Sequence, residues 1–162
     1  MADPRIRPVA PDDVPAVVEL VYDLAEYERA REQCHLTVEQ LRAALFGPAP
    51  ALFGLVAVDD GGAVVGYALY FLNFSTWEGV HGLYLEDLYV RPDVRGSGLG
   101  KALLRALAGI AVDRGYARVE WWVLDWNAPS IAFYESLGAV AMDDWTVFRL
   151  TGPALKTAAG TG

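Results

Sequence analysis

The sequence predicts an α/β fold, a sheet with antiparallel and parallel parts flanked by helices. Three features predict it. From Leu85 a β-rich run with Leu88 and Val90 apolar passes through Pro92-Asp93 and a glycine loop. It leads into Leu99, Leu103, Leu104, Leu107 and Ile110, which recur at helical spacing. The apolar run Val119 to Leu124 leads in the same way into a second helix. Asp59-Asp60-Gly61-Gly62 joins two further apolar runs with the composition of a hairpin turn.

In order, Arg5 to Val9 reads as the first strand. Pro11-Asp12-Asp13 opens a helix to about Tyr27, with Val14, Val17, Val18, Val21 and Leu24 on one apolar face. A second helix spans Val38 to Phe46. Thr37 and Gln40 have the spacing of a capping box at its start, and Gly47-Pro48 stops it. Leu52 to Val58 and Val64 to Phe74 are the hairpin strands, and His81 to Val90 is the next. A helix over Leu99 to Arg114, a strand over Arg118 to Leu124 and a helix over Pro129 to Leu137 follow. Asn127 is placed to cap the last helix and Gly138 to end it. Ala139 to Met142 and Thr146 to Leu150 read as closing strands. Residues 1–151 are expected to form one domain, with 152–162 a flexible tail.

Composition narrows the function classes. With 162 residues, 54% of them hydrophobic, the chain is long enough for a sizeable core. Its 13 Lys and Arg against 21 Asp and Glu give a net charge of −8. That argues against nucleic acid as a partner and favours a small cationic molecule if the acids cluster. No apolar run is long enough to span a bilayer, and Met1 to Val9 lacks the pattern of a signal peptide, so a cytoplasmic protein with no membrane partner is expected. Cys34 is the single cysteine, which excludes an internal disulfide and reads as structural. His35 and His81 stand alone, so no metal is expected.

The loop Arg95-Gly96-Ser97-Gly98-Leu99-Gly100 sits where the backbone can approach an anion and where the next helix presents free N–H groups. Two commoner phosphate motifs fail on spacing. A Walker loop needs glycine where Arg95 stands and Ser or Thr where Ala102 stands. A dinucleotide fingerprint needs a third glycine where Lys101 or Leu103 stands.

The loop does match Arg/Gln-x-x-Gly-x-Gly/Ala, the signature of the GNAT superfamily of N-acetyltransferases. Downstream, Asn127-x-x-Ser130-x-x-Phe133-Tyr134-x-x-x-Gly138-Ala139 resembles that superfamily's second acetyl-CoA motif. Leu24 to Glu28, Gln33, Leu36-Thr37, Phe71, Trp77, Tyr84 to Asp87, Trp126-Asn127 and Phe133-Tyr134 extend the likeness. From Ile6 to about Leu150 the chain resembles the spermidine/spermine (diamine) and thialysine N-acetyltransferases.

That resemblance implies an acetyltransferase fold, with the sheet splayed between two adjacent parallel strands near Glu86 and Glu120. It implies acetyl-CoA as co-substrate, with pantetheine on the backbone of Leu88, Tyr89 and Val90 and on Asn127. The pyrophosphate falls on Arg95, Gly96, Ser97, Gly98, Leu99 and Gly100, beside Lys101. The implied reaction is direct attack by a primary amine of a small di- or polyamine, or of a lysine-like amino acid, in a ternary complex. Glu86 is implied as base through ordered water and Tyr134 as acid. Tyr27, Glu28, Trp77, Glu86, Glu120 and Asp143 are implied to face the amine, and a homodimer is implied. Adjacent strand residues face opposite sides, so only one of Glu86 and Asp87 is expected to face the amine, and Asp87 is expected at a strand edge or dimer contact. This chain has Ser75-Thr76 and Glu120 where the polyamine enzymes carry Asp-Pro and histidine, which points to an altered amine. Two alternatives stay open: acetylation of protein amino groups or an amine drug, and a CoA-binding module without turnover.

Overall fold

The structure, a computed structural model, describes residues 2–161. The chain divides into two compact units, Met1–Leu124 and Asp125–Gly162. The first holds a five-stranded sheet in the order β1-β2-β3-β4-β5 (Ile6–Pro8, Phe53–Val58, Val64–Ser75, Val80–Val90, Val119–Trp121). The first three pairings are antiparallel and β4 with β5 is parallel.

The helices of this unit form where capping and periodicity place them. A short 3-10 turn, Pro11–Asp13, precedes α1 (Val14–Tyr27), where one continuous helix was expected. Asp13 ties that junction down. Its carboxylate accepts from both Arg7 guanidinium nitrogens at 2.7 and 3.0 Å and from the Ala10 N–H at 2.7 Å. The Arg7 hydrogen bonds hold its pKa below the usual carboxylate value, so its contribution to stability is present near neutrality and is lost as pH falls through the lowered pKa. In α2 (Val38–Phe46) the expected capping box forms, with Gln40 N–H donating to Thr37 Oγ1 at 3.1 Å and Thr37 N–H to Gln40 Oε1 at 3.0 Å.

One face of the sheet, through Val56, Tyr67, Leu69 and Tyr89, packs on Val14, Val17, Leu20, Leu41 and Leu45 of α1 and α2. The opposite face, with Leu83 and Leu85 fully buried, is covered by α3 (Leu99–Asp113), whose Leu103 and Leu107 are also fully buried. The hairpin turn is held by Asp59 Oδ1, which accepts from Gly61 N–H and Ala63 N–H at 2.9 Å each.

In the second unit, α4 (Ala128–Ser136) is capped by Asn127, whose Oδ1 accepts from Ser130 N–H at 3.3 Å, and it ends at Gly138 with φ 91°. The closing strands expected at Ala139 to Met142 and Thr146 to Leu150 do not form. Short apolar runs suit a strand, but a strand also needs a neighbour to take its N–H and C=O groups, and here Val140, Val147 and Phe148 are exposed. Helix α5 (Gly152–Ala158) lies where a tail was expected. Thr151, Pro153 and Lys156 were the available signals, as cap, first-turn proline and C-terminal cation. Among the described residues, no helix is long and apolar enough to cross a membrane.

Candidate active site

The β4–β5 ladder covers only Leu83↔Val119, Tyr84↔Glu120 and Leu85↔Trp121. Beyond Leu85, β4 continues to Val90 with no strand among the described residues on its β5 side. Backbone groups alternate sides along a strand and Arg91 N–H bonds to Val65 O on β3, so Leu88 and Val90 direct theirs to that open edge, with the Val90 carbonyl accepting from Arg95, while those of Tyr89 turn to β3. The strand expected to run to Leu124 stops at Trp121, where its pairing with β4 ends.

At the end of β4 the chain enters the glycine loop. Gly96 and Gly98 have φ 87° and 80°, and a Cβ added at either would meet no atom within 4 Å, so the loop leaves open space above its backbone. Gly98 is the N-cap of α3 and has no side chain to occupy the first-turn N–H groups. Those amides and the positive end of the helix dipole suit a pyrophosphate. Arg5 Nη1 donates to Ser97 O at 2.9 Å, and Arg95 Nε donates to Val90 O at 3.1 Å. The Arg95 guanidinium lies 5.5 Å from the ring centres of both Tyr27 and Tyr89. Tyr27, expected at the amine, is thereby brought to the loop through Arg95. Leu99 is buried and offers only its backbone, while Lys101 is exposed on the first turn of α3.

A one-residue bulge interrupts β4. Leu69 pairs with Asp87 and Tyr70 with Leu85, which leaves Glu86 without a partner. Strict alternation across Glu86 and Asp87 is therefore broken: Leu85 shares the face of Tyr70, and Asp87 shares the face of Leu69. Asp87 lies on the stretch of β4 past its last pairing with β5, half-buried on the α1 face, where the Tyr67 hydroxyl donates to its Oδ2 at 3.5 Å. Burial, then the Glu86 and Glu28 carboxylates, push its pKa up to about 6. Glu28, at the C-cap of α1, is also raised by burial. Tyr84 is pushed up to about 12 by burial and by the charges of Glu86, Asp87 and Glu120. Glu86 is exposed.

Two other expected amine residues lie in this unit, Glu120 opposite Tyr84 on β5 and Trp77 on the β3–β4 turn. Glu120 pairs with Arg118, Nε to Oε1 3.0 Å. Trp77 is 89% exposed on the β3–β4 turn. The pairings Ser75↔Val80 and Leu69↔Asp87 separate that turn from the bulge by the strand length from Val80 to Asp87, about 23 Å at the usual rise per residue. Ser75, one of the departures from the polyamine enzymes, accepts from Glu78 N–H through its Oγ at 3.1 Å and shapes that turn. In the second unit, Tyr134 packs its ring against Phe133 with centres 5.6 Å apart on α4, and Asp143 lies in an exposed turn.

The sequence profile of the acetyltransferase (GNAT) family matches residues 17–139. The chain belongs to that family. Over 170 aligned residues, covering 99% of each chain, this GNAT protein is 38% identical to a thialysine N-epsilon-acetyltransferase of Bos taurus. It is 31% identical to an L-ornithine N5-acetyltransferase of Arabidopsis thaliana, across 94% of this chain and 86% of the other. Its fold matches that of an integron cassette protein from V. cholerae with a TM-score of 0.79 and 25% identity, covering 95% and 96% of the two chains. As a GNAT member it is an enzyme, an N-acetyltransferase, with a mixed sheet whose parallel pair opens beside the glycine loop.

Proposed function

We propose that this enzyme transfers the acetyl group of acetyl-CoA to a primary amine of a small di- or polyamine, or of a lysine-like amino acid. The observation that carries the proposal is the unpaired β4 edge running into an open glycine loop, beside half-buried carboxylates on β4 and α1. The substrate class draws its support from relatives that bear the names of thialysine and L-ornithine acetyltransferases.

The residues present fit the co-substrate. Leu88 and Val90 would hold the pantetheine by backbone, and the loop from Arg95 to Gly100, with Lys101, would hold the pyrophosphate. When bound, acetyl-CoA supplies a thioester carbonyl open to attack by a neutral amine. An alkylammonium has a pKa near 10.4, so about one molecule in 10³ is neutral at pH 7, and the protein has to accept that proton. Asp87 and Glu28 are half-buried, negatively charged when ionised, and suited to a cationic substrate. The resemblance assigns the proton acceptor to Glu86 and the donor to the leaving sulfur to the Tyr134 hydroxyl.

A thiol-release assay with acetyl-CoA and a panel of lysine-like amino acids, diamines and polyamines tests the reading. Turnover with at least one of them is expected, and acetylation of protein lysines alone would contradict it.

We also propose that the enzyme works as a homodimer. The β3–β4 arm extends past β2, which pairs only as far as Tyr70, and carries exposed Phe74 and Trp77. Exposed apolar surface of that kind supports self-association. Light scattering should give about twice 17.6 kDa, and an active monomer would contradict the dimer.

A further inference from the structure

Arg5, immediately before β1, reaches the glycine loop from 92 residues away in sequence. Its guanidinium is held on one side and holds on the other. Nε and Nη2 donate to Asp3 Oδ1 and Oδ2 at 3.0 and 2.7 Å, and Nη1 donates to the Ser97 carbonyl at 2.9 Å. The Arg5 backbone N–H also donates to Asp3 Oδ1, at 3.0 Å, so the carboxylate is fixed in turn. The Arg5 side-chain hydrogen bonds, then the backbone one, hold the Asp3 carboxyl down at about 2, and the pair stays charged near neutrality.

A trans peptide is planar, so the Ser97 carbonyl and the Gly98 N–H point in opposite directions from one plane. Pinning that carbonyl to Arg5 turns the Gly98 N–H away from Arg5 and fixes it there. Among the described residues the Gly98 N–H meets no backbone acceptor. The loop has little of its own to hold this plane. Gly96 and Gly98 lack side chains, and the Ser97 hydroxyl is spent on Val94 O at 2.6 Å. Resting on acetyl-CoA binding at this loop as proposed above, we infer that Arg5, anchored by Asp3, is a positioning residue for the cofactor. It sets the Ser97–Gly98 peptide so that the Gly98 N–H faces the pyrophosphate together with the first-turn amides of α3. Arg5 touches no reacting atom and acts through the loop.

The charges around Arg5 make this measurable. Asp3 and Asp60, the latter in the hairpin turn, both bear on the guanidinium, and Arg105 bears on Asp3. Asp3 holds Arg5 by hydrogen bonds, whereas Asp60 acts on it by charge alone. If Arg5 served only as a positive charge, neutralising either acid would favour an anionic ligand and tighten its binding. If Arg5 positions the loop, Asp3→Asn frees the guanidinium and weakens binding, while Asp60→Asn does not weaken it. Removing the same charge from two neighbours of one guanidinium then gives effects that differ in sign.

The experiment is calorimetric titration of CoA and of dephospho-CoA, which keeps the pyrophosphate but lacks the 3′-phosphate. The proteins are the parent chain and Arg5→Ala, Arg5→Lys, Asp3→Asn and Asp60→Asn, with circular dichroism to establish folding. Arg5→Ala is expected to weaken both ligands by about 10-fold, and Asp3→Asn by about 3-fold. Arg5→Lys keeps the charge but not the planar fork that spans Asp3 and Ser97, and should lose nearly as much as Arg5→Ala. In steady state the loss should fall on KM for acetyl-CoA, with kcat at saturation and KM for the amine near the parental values. Parental affinity in Arg5→Lys, or unchanged or tighter binding in Asp3→Asn, would reduce Arg5 to a charge and overturn the inference. A penalty with CoA that vanishes with dephospho-CoA would assign Arg5 to the 3′-phosphate and overturn it equally. In both cases CoA binding itself stands. If Arg5→Ala does not fold, Arg5→Lys and Asp3→Asn decide. A parent chain that binds neither ligand would remove the cofactor reading and this inference with it.

Discussion

Gly98→Asp is expected to weaken CoA binding by at least about 10²-fold, roughly 3 kcal/mol. The position has φ 80° and caps α3 with no side chain, so the first-turn amides face open space. An aspartate there would direct its carboxylate at those amides in place of the pyrophosphate and repel what remains of the ligand's charge. The backbone cost is modest by comparison, about 1 kcal/mol, because aspartate tolerates the left-handed region better than most residues. The variant should therefore fold and fail to bind. Calorimetric titration of CoA into the folded variant reads this directly. Parental affinity would remove the loop from cofactor binding and leave the unpaired edge of β4 to account for it alone.

Tyr134→Phe is expected to lower kcat by about 10²-fold or more, with KM for the amine nearly unchanged. The substitution deletes one hydroxyl and keeps the ring that packs against Phe133, so α4 should persist. With Tyr134 in the proposed role of acid, what is lost is a phenolic proton for the departing thiolate, needed only as the carbon–sulfur bond breaks. An effect confined to that moment falls on kcat and leaves ground-state binding alone. Steady-state kinetics on the best amine would show it, and a variant with parental kcat would exclude Tyr134 as the acid.

Much of this enzyme was legible from sequence where the determinant is local. The Thr37–Gln40 capping box, the Asp59 turn, the Asn127 cap and the glycine loop each depend on residues a few positions apart, and each forms as expected. The sheet order follows from the strand–helix–strand connection through α3 and the hairpin. The facing of Glu86 and Asp87 was not legible, because a period of two assumes that no residue is skipped in the pairing. One extra residue in β4 against β3 puts Asp87 on the α1 side of the sheet, the face opposite Leu85, although the two are two positions apart. The Tyr67–Asp87 contact is diagonal across two strands, so only the register reveals it. Trp77 shows the same limit: its residue type suits a cation, while strand length sets how far it lies from the bulge. The closing strands were expected from short apolar runs alone, and such a run does not say what would pair with residues 139–150.

The central claim is that this GNAT enzyme moves acetyl from CoA to a small primary amine. Its most direct measurement is release of free CoA thiol from acetyl-CoA by the purified chain, followed across lysine-like amino acids, diamines and polyamines at pH 7 to 9, with the acetylated product identified by mass spectrometry. The account predicts amine-dependent thiol release that saturates with at least one of these amines and yields its mono-N-acetyl product. Tight CoA binding with no amine-dependent release from any of them would contradict it.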